Sequence, residues 1–303
     1  MRENPVRSIW SRGGAVINGW LGIPSSITAE NMAQCGWDSL VVDLQHGHID
    51  FQVAVGMLQA ISTTATTPLA RVPWCEPGII MKLLDAGAYG IICPMINTRA
   101  DCEAFVGACR YAPKGYRSFG PVRATWYGGA DYFKHANDTI VTMAMIETKQ
   151  AMDNLDDILS VPGLDGLYIG PNDLAITLGC APSGTPTDPI VLDAIRTILA
   201  GAKKHGIRAS HTSEVVLVNN TFVGNSRPLN LVQDPRRNTD RNDPAVDSRQ
   251  AWPDRTMPWT LGPVQVRNNV IADPLIKRSR IRSPFLNRNV SFLSGDFPLT
   301  MKL

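Results

Sequence analysis

The chain has 303 residues, with 29 Lys and Arg against 27 Asp and Glu and a formal net charge of +2. That length suits one large domain or two small ones, and the near-neutral balance argues against a dedicated nucleic-acid or membrane-surface protein. Hydrophobic residues make up 44% and charged ones 18%, enough to bury a core, and no apolar run approaches the ~18 residues of a membrane span.

The N-terminus (M-R-E-N-P-V-R) is followed by Gly- and Asn-interrupted sequence without a secretory apolar stretch. A soluble, cytoplasmic protein is therefore expected. The first 210 residues alternate an amphipathic helical stretch, a Gly, and a short apolar run that ends in a polar residue. I-T-A-E-N-M-A-Q-C-G leads into D-S-L-V-V-D, and D-F-Q-V-A-V-G-M-L-Q-A-I leads into T-P-L-A-R. P-G-I-I-M-K-L-L-D-A-G-A leads into G-I-I-C-P, and M-D-N-L-D-D-I-L-S-V-P-G leads into D-G-L-Y-I-G-P. The Gly residues suit left-handed helix stops, and the short Val-, Ile- and Leu-rich runs suit strands of a buried parallel sheet.

Seven strands are predicted: Ala15–Leu21, Ser39–Asp43, Leu69–Val72, Gly90–Pro94, Ile140–Glu147, Gly166–Gly170 and Ile207–Ser210. Such alternation means either a doubly wound sheet or a (β/α)8 barrel. A long excursion, Arg117–Asp138, separates strands four and five and is expected to form a lid over the catalytic face. All six cysteines (Cys35, Cys75, Cys93, Cys102, Cys109 and Cys180) lie in this part, with no C-x-x-C pair. Buried reduced thiols in a reducing compartment are the expectation.

Beyond Ser210 the pattern stops. Residues 211–303 hold 13 basic and 8 acidic side chains, against 16 and 19 before them. Nine prolines between Pro228 and Pro298 would interrupt almost any regular element. V-V-L-V-N-N-T-F-V could make one short strand, but no further helix–Gly–strand unit follows. The chain thus divides into a barrel-like domain at 1–210 and an atypical Arg-, Asn- and Pro-rich segment at 211–303. The Arg residues of that segment alternate with Asp and match no nucleic-acid-binding module.

Four polar groups sit where apolar strands end: Asp43 with His46 in V-V-D-L-Q-H-G, Arg71 in L-A-R-V-P-W, Glu147 in M-I-E-T, and Asp173 in G-P-N-D-L. C-terminal strand ends of a parallel barrel converge on one face, which would bring these residues together. Glu147 and Asp173 close consecutive strands, and two adjacent carboxylates call for a divalent cation. Oxygen ligands with open positions suit Mg²⁺ or Mn²⁺. Taken singly, each carboxylate could equally be a helix cap or half of a surface salt bridge. His46 could be held by Asp43 and exchange a proton near neutral pH, or simply be bonded within its loop. Arg71 needs an anion, either a protein carboxylate or a substrate oxyanion. Neither a dinucleotide fingerprint nor a phosphate-binding loop is present, nor a convincing Ser or Cys nucleophile.

Together with A-R-V-P-W, C-R-Y-A-P-K-G-Y-R, H-A-N-D, M-I-E-T-K-Q-A-M-D-N-L and G-L-D-G-L-Y-I-G-P-N-D-L-A, these stretches resemble the HpcH/HpaI aldolases. The resemblance runs over about residues 14–210. It implies a (β/α)8 TIM-type barrel and a metal-dependent carbon–carbon lyase acting on pyruvate enolates, in a family with macrophomate synthase-like members. It also implies Glu147 and Asp173 as metal ligands, Arg71 as stabiliser of the enolate oxygen, and His46, oriented by Asp43, as acid/base group. Backbone N–H groups around Gly170, Asn172 and Asp173 would receive the carboxylate of a pyruvate- or oxaloacetate-type substrate.

Two features depart from the family. Met145 stands where members often carry Gln. The family also closes its barrel with another strand and a C-terminal helix exchanged between subunits of a homo-oligomer, and nothing after Ser210 matches either. The last βα unit is thus not recognisable, and an irregular tail stands in its place. A second expectation follows: an inactive product whose C-terminus arose by frameshift or mis-splicing.

Overall fold

The computed structural model describes residues 1–184 and 186–211, and beyond them three short strands at Leu217–Val218, Val264–Arg267 and Leu299–Met301. The chain forms two units, Met1–Glu214 and Val215–Leu303.

In the first unit the elements run α1 (Pro5–Ser11), β1 (Asn18–Leu21), α2 (Ser26–Ala33), β2 (Ser39–Asp43), α3 (Phe51–Ile61) and β3 (Thr67–Arg71). They continue with α4 (Pro77–Asp85), β4 (Gly90–Cys93), α5 (Arg99–Cys109), α6 (Val122–Gly128), α7 (Tyr132–Thr139) and β5 (Val141–Ile146). The unit ends with α8 (Lys149–Asp153), α9 (Leu155–Leu159), β6 (Gly166–Ile169), α10 (Pro171–Thr177), α11 (Pro189–Lys204) and β7 (Arg208–His211).

Local chemistry sets these boundaries. Ser25, Asp50 and Thr148 cap α2, α3 and α8 by accepting a first-turn N–H, and Thr98 and Asp101 form a reciprocal capping box on α5. Gly36, Gly87 and Gly163, with φ of 84°, 98° and 89°, turn the chain after α2, α4 and α9. A side chain at those angles would be strained, which is why glycine punctuates the repeat.

The seven strands form one parallel sheet in the order β1-β2-β3-β4-β5-β6-β7. Strands β2, β4, β5 and β6 are buried at every position, as expected of a sheet with two covered faces. Alternate residues serve different layers. Leu40, Val42, Ile91, Ala144, Ile146, Leu167 and Ile169 pack outward with helical Leu58, Leu83, Phe105 and Ile158. Val41, Leu69, Ile92, Met143, Met145 and Tyr168 pack with one another on the inner face. Each fully buried Leu, Ile or Phe contributes about 1.5–3 kcal/mol.

The sheet is curled. Trp20 on β1 meets Tyr168 on β6 with ring centroids 5.2 Å apart. Five strand spacings of about 4.8 Å would hold them far apart in a flat sheet. The fold is therefore α/β, an open, curled, seven-stranded parallel sheet wrapped by helices.

Helix α1 covers the N-terminal end of the strands. Asn4 Nδ2 donates to the carbonyls of Tyr89 (3.0 Å) and Thr139 (2.9 Å), which stand just before β4 and β5. Arg7 Nη2 donates to the Ile140 carbonyl and to Asp165 Oδ2, both at 2.6 Å, and Val6 enters the inner cluster.

The excursion between β4 and β5 corrects the sequence expectation. Helix α5 first carries the chain back to the N-terminal end of the sheet, so α6 and α7 form there and not as a lid at the C-terminal end. Arg123 of α6 donates to the Ala86 carbonyl and to Ser62 Oγ (2.9 Å), both in turns that precede strands, and Arg2 N–H donates to the Gly128 carbonyl (2.6 Å).

All six cysteines are free. Cys93, Cys102 and Cys109 are buried as expected, while Cys75 and Cys180 are half-buried and Cys35 is exposed. Among the described residues no helix is long and apolar enough to cross a membrane.

In the second unit β8 (Leu217–Val218) runs parallel to β9 (Val264–Arg267), and β10 (Leu299–Met301) pairs antiparallel with β9. The short strand expected in V-V-L-V-N-N-T-F-V forms at Leu217–Val218. The expected irregularity of the rest of 211–303 lies outside the described residues.

Candidate active site

Strand register brings the first pair together. Asp43 and Arg71 are direct partners at the ends of β2 and β3. Arg71 Nε donates to Asp43 Oδ1 at 2.8 Å and Arg71 Nη2 to Asp43 Oδ2 at 2.6 Å, a two-pronged ion pair with both side chains about one-tenth exposed. Oδ1 also accepts the backbone N–H groups of Gln45 (3.1 Å) and His46 (3.3 Å), which shapes the loop after β2. Burial pushes the Asp43 carboxyl up, but the Arg71 guanidinium and these N–H donors outweigh it and hold the group below its ordinary value.

Asp43 thus holds His46 by its backbone, and the carboxylate that sequence spacing assigned to the imidazole is taken up by Arg71. The His46 ring has no hydrogen bond to another described residue and lines the cavity.

The remaining surroundings of Arg71 are soft. Its Cζ lies 4.6 Å from the centroid of the Trp20 ring, and its Nη1 approaches Met145 Sδ at 4.0 Å. Nε and Nη2 are engaged by a carboxylate, whereas Nη1 meets only a weak sulfur acceptor.

Glu147 follows β5 directly and is 2% exposed. Its Oε1 accepts the N–H of Met95 at 2.8 Å. Met95 has φ of 56°, a left-handed conformation seen at no other non-glycine among the described residues. Such a residue persists where its surroundings over-determine it, at a cost of about 1–3 kcal/mol. The other oxygen of Glu147 lies against Gly170: a Cβ there would stand 2.3 Å from Oε2, so only glycine fits. Burial first, and then the charge of Asp173, raise the Glu147 carboxyl to about 7, against the opposing pull of the Met95 N–H and Arg71.

Asp173 sits in the first turn of α10, a helix that begins with Pro171 and carries no side-chain cap. Neither Glu147 nor Asp173 has a Lys, Arg or His ion-pair partner among the described residues. Trp20, His46, Arg71, Met145, Glu147, Tyr168 and the Gly170–Asp173 turn enclose one cavity of about 190 Å³.

The donors around this cavity are of the kind a divalent cation takes. Two carboxylates, one deeply buried and raised in part by its neighbour's charge, lack a fixed positive partner. Such a pair could hold a divalent cation between its carboxylates. No third His, Cys, Asp or Glu joins them in a metal-binding cluster among the described residues. A cation here would keep open positions for water and a ligand, as hard divalent ions do in catalytic sites. The residues fit the group.

Of the residues singled out from sequence, His46, Arg71, Glu147, Gly170, Asn172 and Asp173 meet at this cavity, and Asp43 stands behind Arg71. Trp20, Tyr168 and Met95 were not anticipated. Trp20 and Tyr168 carry the alternation of an inner strand face, which could have placed them. Met95 carries no local signal.

Residues 18–221 match the family described as HpcH/HpaI aldolase/citrate lyase. Hydroxypyruvate/pyruvate aldolase of Rhizorhabdus wittichii is 45% identical over 205 residues, covering 68% of this chain and 82% of that protein. The 4-hydroxy-2-oxo-heptane-1,7-dioate aldolase of Escherichia coli is 36% identical over 207 residues, covering 67% and 78%. A crystal structure of an HpcH/HpaI aldolase/citrate lyase family protein from Burkholderia cenocepacia superposes with a TM-score of 0.63 at 31% identity, over 68% of this chain and 83% of that one. The two carboxylates, the guanidinium and the parallel sheet that gathers them belong to a chain of the HpcH/HpaI aldolase/citrate lyase family.

Proposed function

We propose that the chain is a metal-dependent carbon–carbon lyase acting on small 2-oxo acids of the pyruvate or oxaloacetate type through the pyruvate enolate. The observation that carries this reading is the arrangement around the 190 Å³ cavity. Glu147 and Asp173 lack a fixed cation, and Arg71 stands on the same cavity with Nη1 free of any strong acceptor. Residues 1–210 form the catalytic domain, read as the greater part of a (β/α)8 barrel. A cytoplasmic homo-oligomer is the accompanying expectation, with neither nucleic acid nor membrane as a partner.

A Mg²⁺ or Mn²⁺ ion held by Glu147 and Asp173 would supply positive charge beside the 2-oxo group. The chain's own side chains do the rest. Arg71, kept in place by Asp43, donates from Nη1 to the substrate C2 oxygen as negative charge develops there. The first-turn backbone of α10 at Gly170, Asn172 and Asp173 receives the substrate carboxylate. His46, which lines the same cavity, takes or gives the proton at the acceptor oxygen. Met145, Trp20 and Tyr168 present an apolar wall that limits water around the reacting carbons.

Incubation with Mg²⁺ or Mn²⁺ and oxaloacetate tests the reading. CO₂ release that stops with a chelator and is abolished in Arg71→Ala and Glu147→Ala is expected. Undiminished release in those variants would overturn the assignment.

A second reading, an inactive aldolase-like product, is favoured by two observations. The family match ends at residue 221, and β7 has no pairing with β1 among the described residues. Reading the other frames of the coding DNA beyond codon 210 distinguishes the two. A family-like helix–strand–helix found there would support the inactive product, and its absence would count against it.

A further inference from the structure

We propose that Trp20 is a positioning residue for the reaction, holding the Arg71 guanidinium over its ring face so that the free edge of Arg71 stays directed at the substrate oxygen. This rests on the reading above, in which Arg71 is the group that meets that oxygen.

An arginine head offers five N–H donors in one plane. Asp43 takes up the Nε and Nη2 edge, at 2.8 and 2.6 Å. Those two parallel bonds fix where that edge lies within the plane. They leave the plane itself free to tip about the carboxylate, because hydrogen bonds to a carboxylate tolerate broad angles. A further contact on the guanidinium is needed to stop tipping. Trp20 supplies it, with the Arg71 Cζ over its ring face 4.6 Å from the centroid. Indole is the strongest of the aromatic faces for a cation, and the contact strengthens where water is scarce.

Trp20 is itself held. It pairs with Val41 in the sheet, and its ring meets Tyr168 edge-on at 5.2 Å and an interplanar angle of 62°. The support therefore runs from β6 through Tyr168 and Trp20 on β1 to Arg71 on β3, across the mouth of the curled sheet. The remaining edge of the guanidinium, at Nη1, carries only the Met145 sulfur at 4.0 Å. A thioether competes poorly for an N–H, so this donor stays available to an oxyanion. Asp43 and Trp20 together fix all of Arg71 except the edge that must react.

Such a device acts on the transition state more than on substrate binding. The negative charge on the C2 oxygen grows as the enolate forms, and only then does the aim of Nη1 count fully. Replacing the π-face should therefore lower kcat and leave KM nearly unchanged.

The test uses the full-length chain with Mg²⁺ and oxaloacetate, following pyruvate and CO₂ release. Trp20→Leu should lower kcat about ten-fold with KM changed less than about two-fold, and Trp20→Phe, which keeps an aromatic face, should recover most of the loss. Site-specific insertion of mono- and tetrafluorinated tryptophan at position 20 keeps the ring's shape while draining its π-face. A stepwise fall of kcat with fluorination is expected, and a role in packing alone would leave kcat level across that series. Equal kcat in the fluorinated series would overturn the proposal, including the case in which Trp20→Leu fails to fold. Arg71→Ala, assayed in parallel, separates the two readings. If Arg71→Ala is inactive while the position-20 series is flat, only the role of Trp20 falls. If Arg71→Ala is fully active, the functional reading falls with it.

Discussion

Asp43 and Arg71 are paired twice, once through the register of β2 and β3 and again through two hydrogen bonds of 2.8 and 2.6 Å between their side chains. The sheet thus builds the ion pair, and removing the charge from one member strands the other in a nearly dry site. Asp43→Asn should lower stability by about 2–4 kcal/mol in urea unfolding and cut kcat ten-fold or more, since Arg71 loses its anchor.

The pH dependence of that stability has a fixed sign. The Asp43 carboxyl lies below its ordinary value in the fold, burial being outweighed by Arg71 and the N–H groups of Gln45 and His46. Its contribution is full above the unfolded value of about 3.9 and fades as the pH falls through the lower folded value. Urea midpoints measured from pH 6 down to pH 2 should therefore converge between the parent chain and Asp43→Asn. A constant gap across that range would contradict the pairing as the source of the stability.

Glu147 and Asp173 predict a trade between stability and ligand binding. Without metal, Glu147→Gln removes a buried charge that faces another carboxylate, so its melting temperature in a chelator should equal or exceed that of the parent. With Mn²⁺ at about 100 times its dissociation constant the parent should gain about 2.7 kcal/mol, and the variant should gain little. Calorimetry with and without chelator reads both arms. A parent chain unmoved by metal would deny the pair its cation.

Gly170 is defined by what it excludes. A Cβ at that position would lie 2.3 Å from Glu147 Oε2 and 2.8 Å from Glu147 Cβ. Gly170→Ala should push Glu147 away from Asp173, lower stability by about 1–3 kcal/mol, and weaken Mn²⁺ binding in titration calorimetry. The backbone at Gly170, φ −94° and ψ 90°, is open to alanine, so the effect would come from contact and not from conformation.

The sheet was legible because its strands are buried on both faces and must be continuous Val-, Ile- and Leu-rich runs. S-L-V-V-D and G-I-I-C could hardly be anything else. Strand β3 begins at Thr67 where the sequence suggested Leu69, because Pro68 reads as a breaker. It pairs with Leu40 ahead of the first β3–β4 partner at Ala70. The cavity-lining residues at strand ends were legible for the same topological reason, since parallel strands place their C-termini on one face. What sequence spacing could not give was the pairing among them. Asp43 and His46 lie three positions apart, which suggests contact between side chains, yet the register across strands delivers Asp43 to Arg71 instead. Trp20 lies 51 residues from Arg71 and meets it because the strand register puts both on the inner face of the sheet, two strands apart.

The excursion was misplaced for a related reason. Counted from strand β4 it belongs to the catalytic end, but α5 returns the chain to the other end before the excursion starts. This predicts a separation of effects. Trp126 on α6 is 79% exposed, so Trp126→Ala should change neither stability nor turnover. Arg123 joins α6 to the turns at Ser62 and Ala86, and Arg123→Ala should lower stability by about 1–3 kcal/mol, because it leaves those acceptors without their charged donor. Its kcat and KM for oxaloacetate should nevertheless match the parent below the unfolding transition. A rise in KM from Trp126→Ala would put α6 back over the site. An unchanged KM beside a lowered urea midpoint in Arg123→Ala is what a brace at the N-terminal end of the sheet requires.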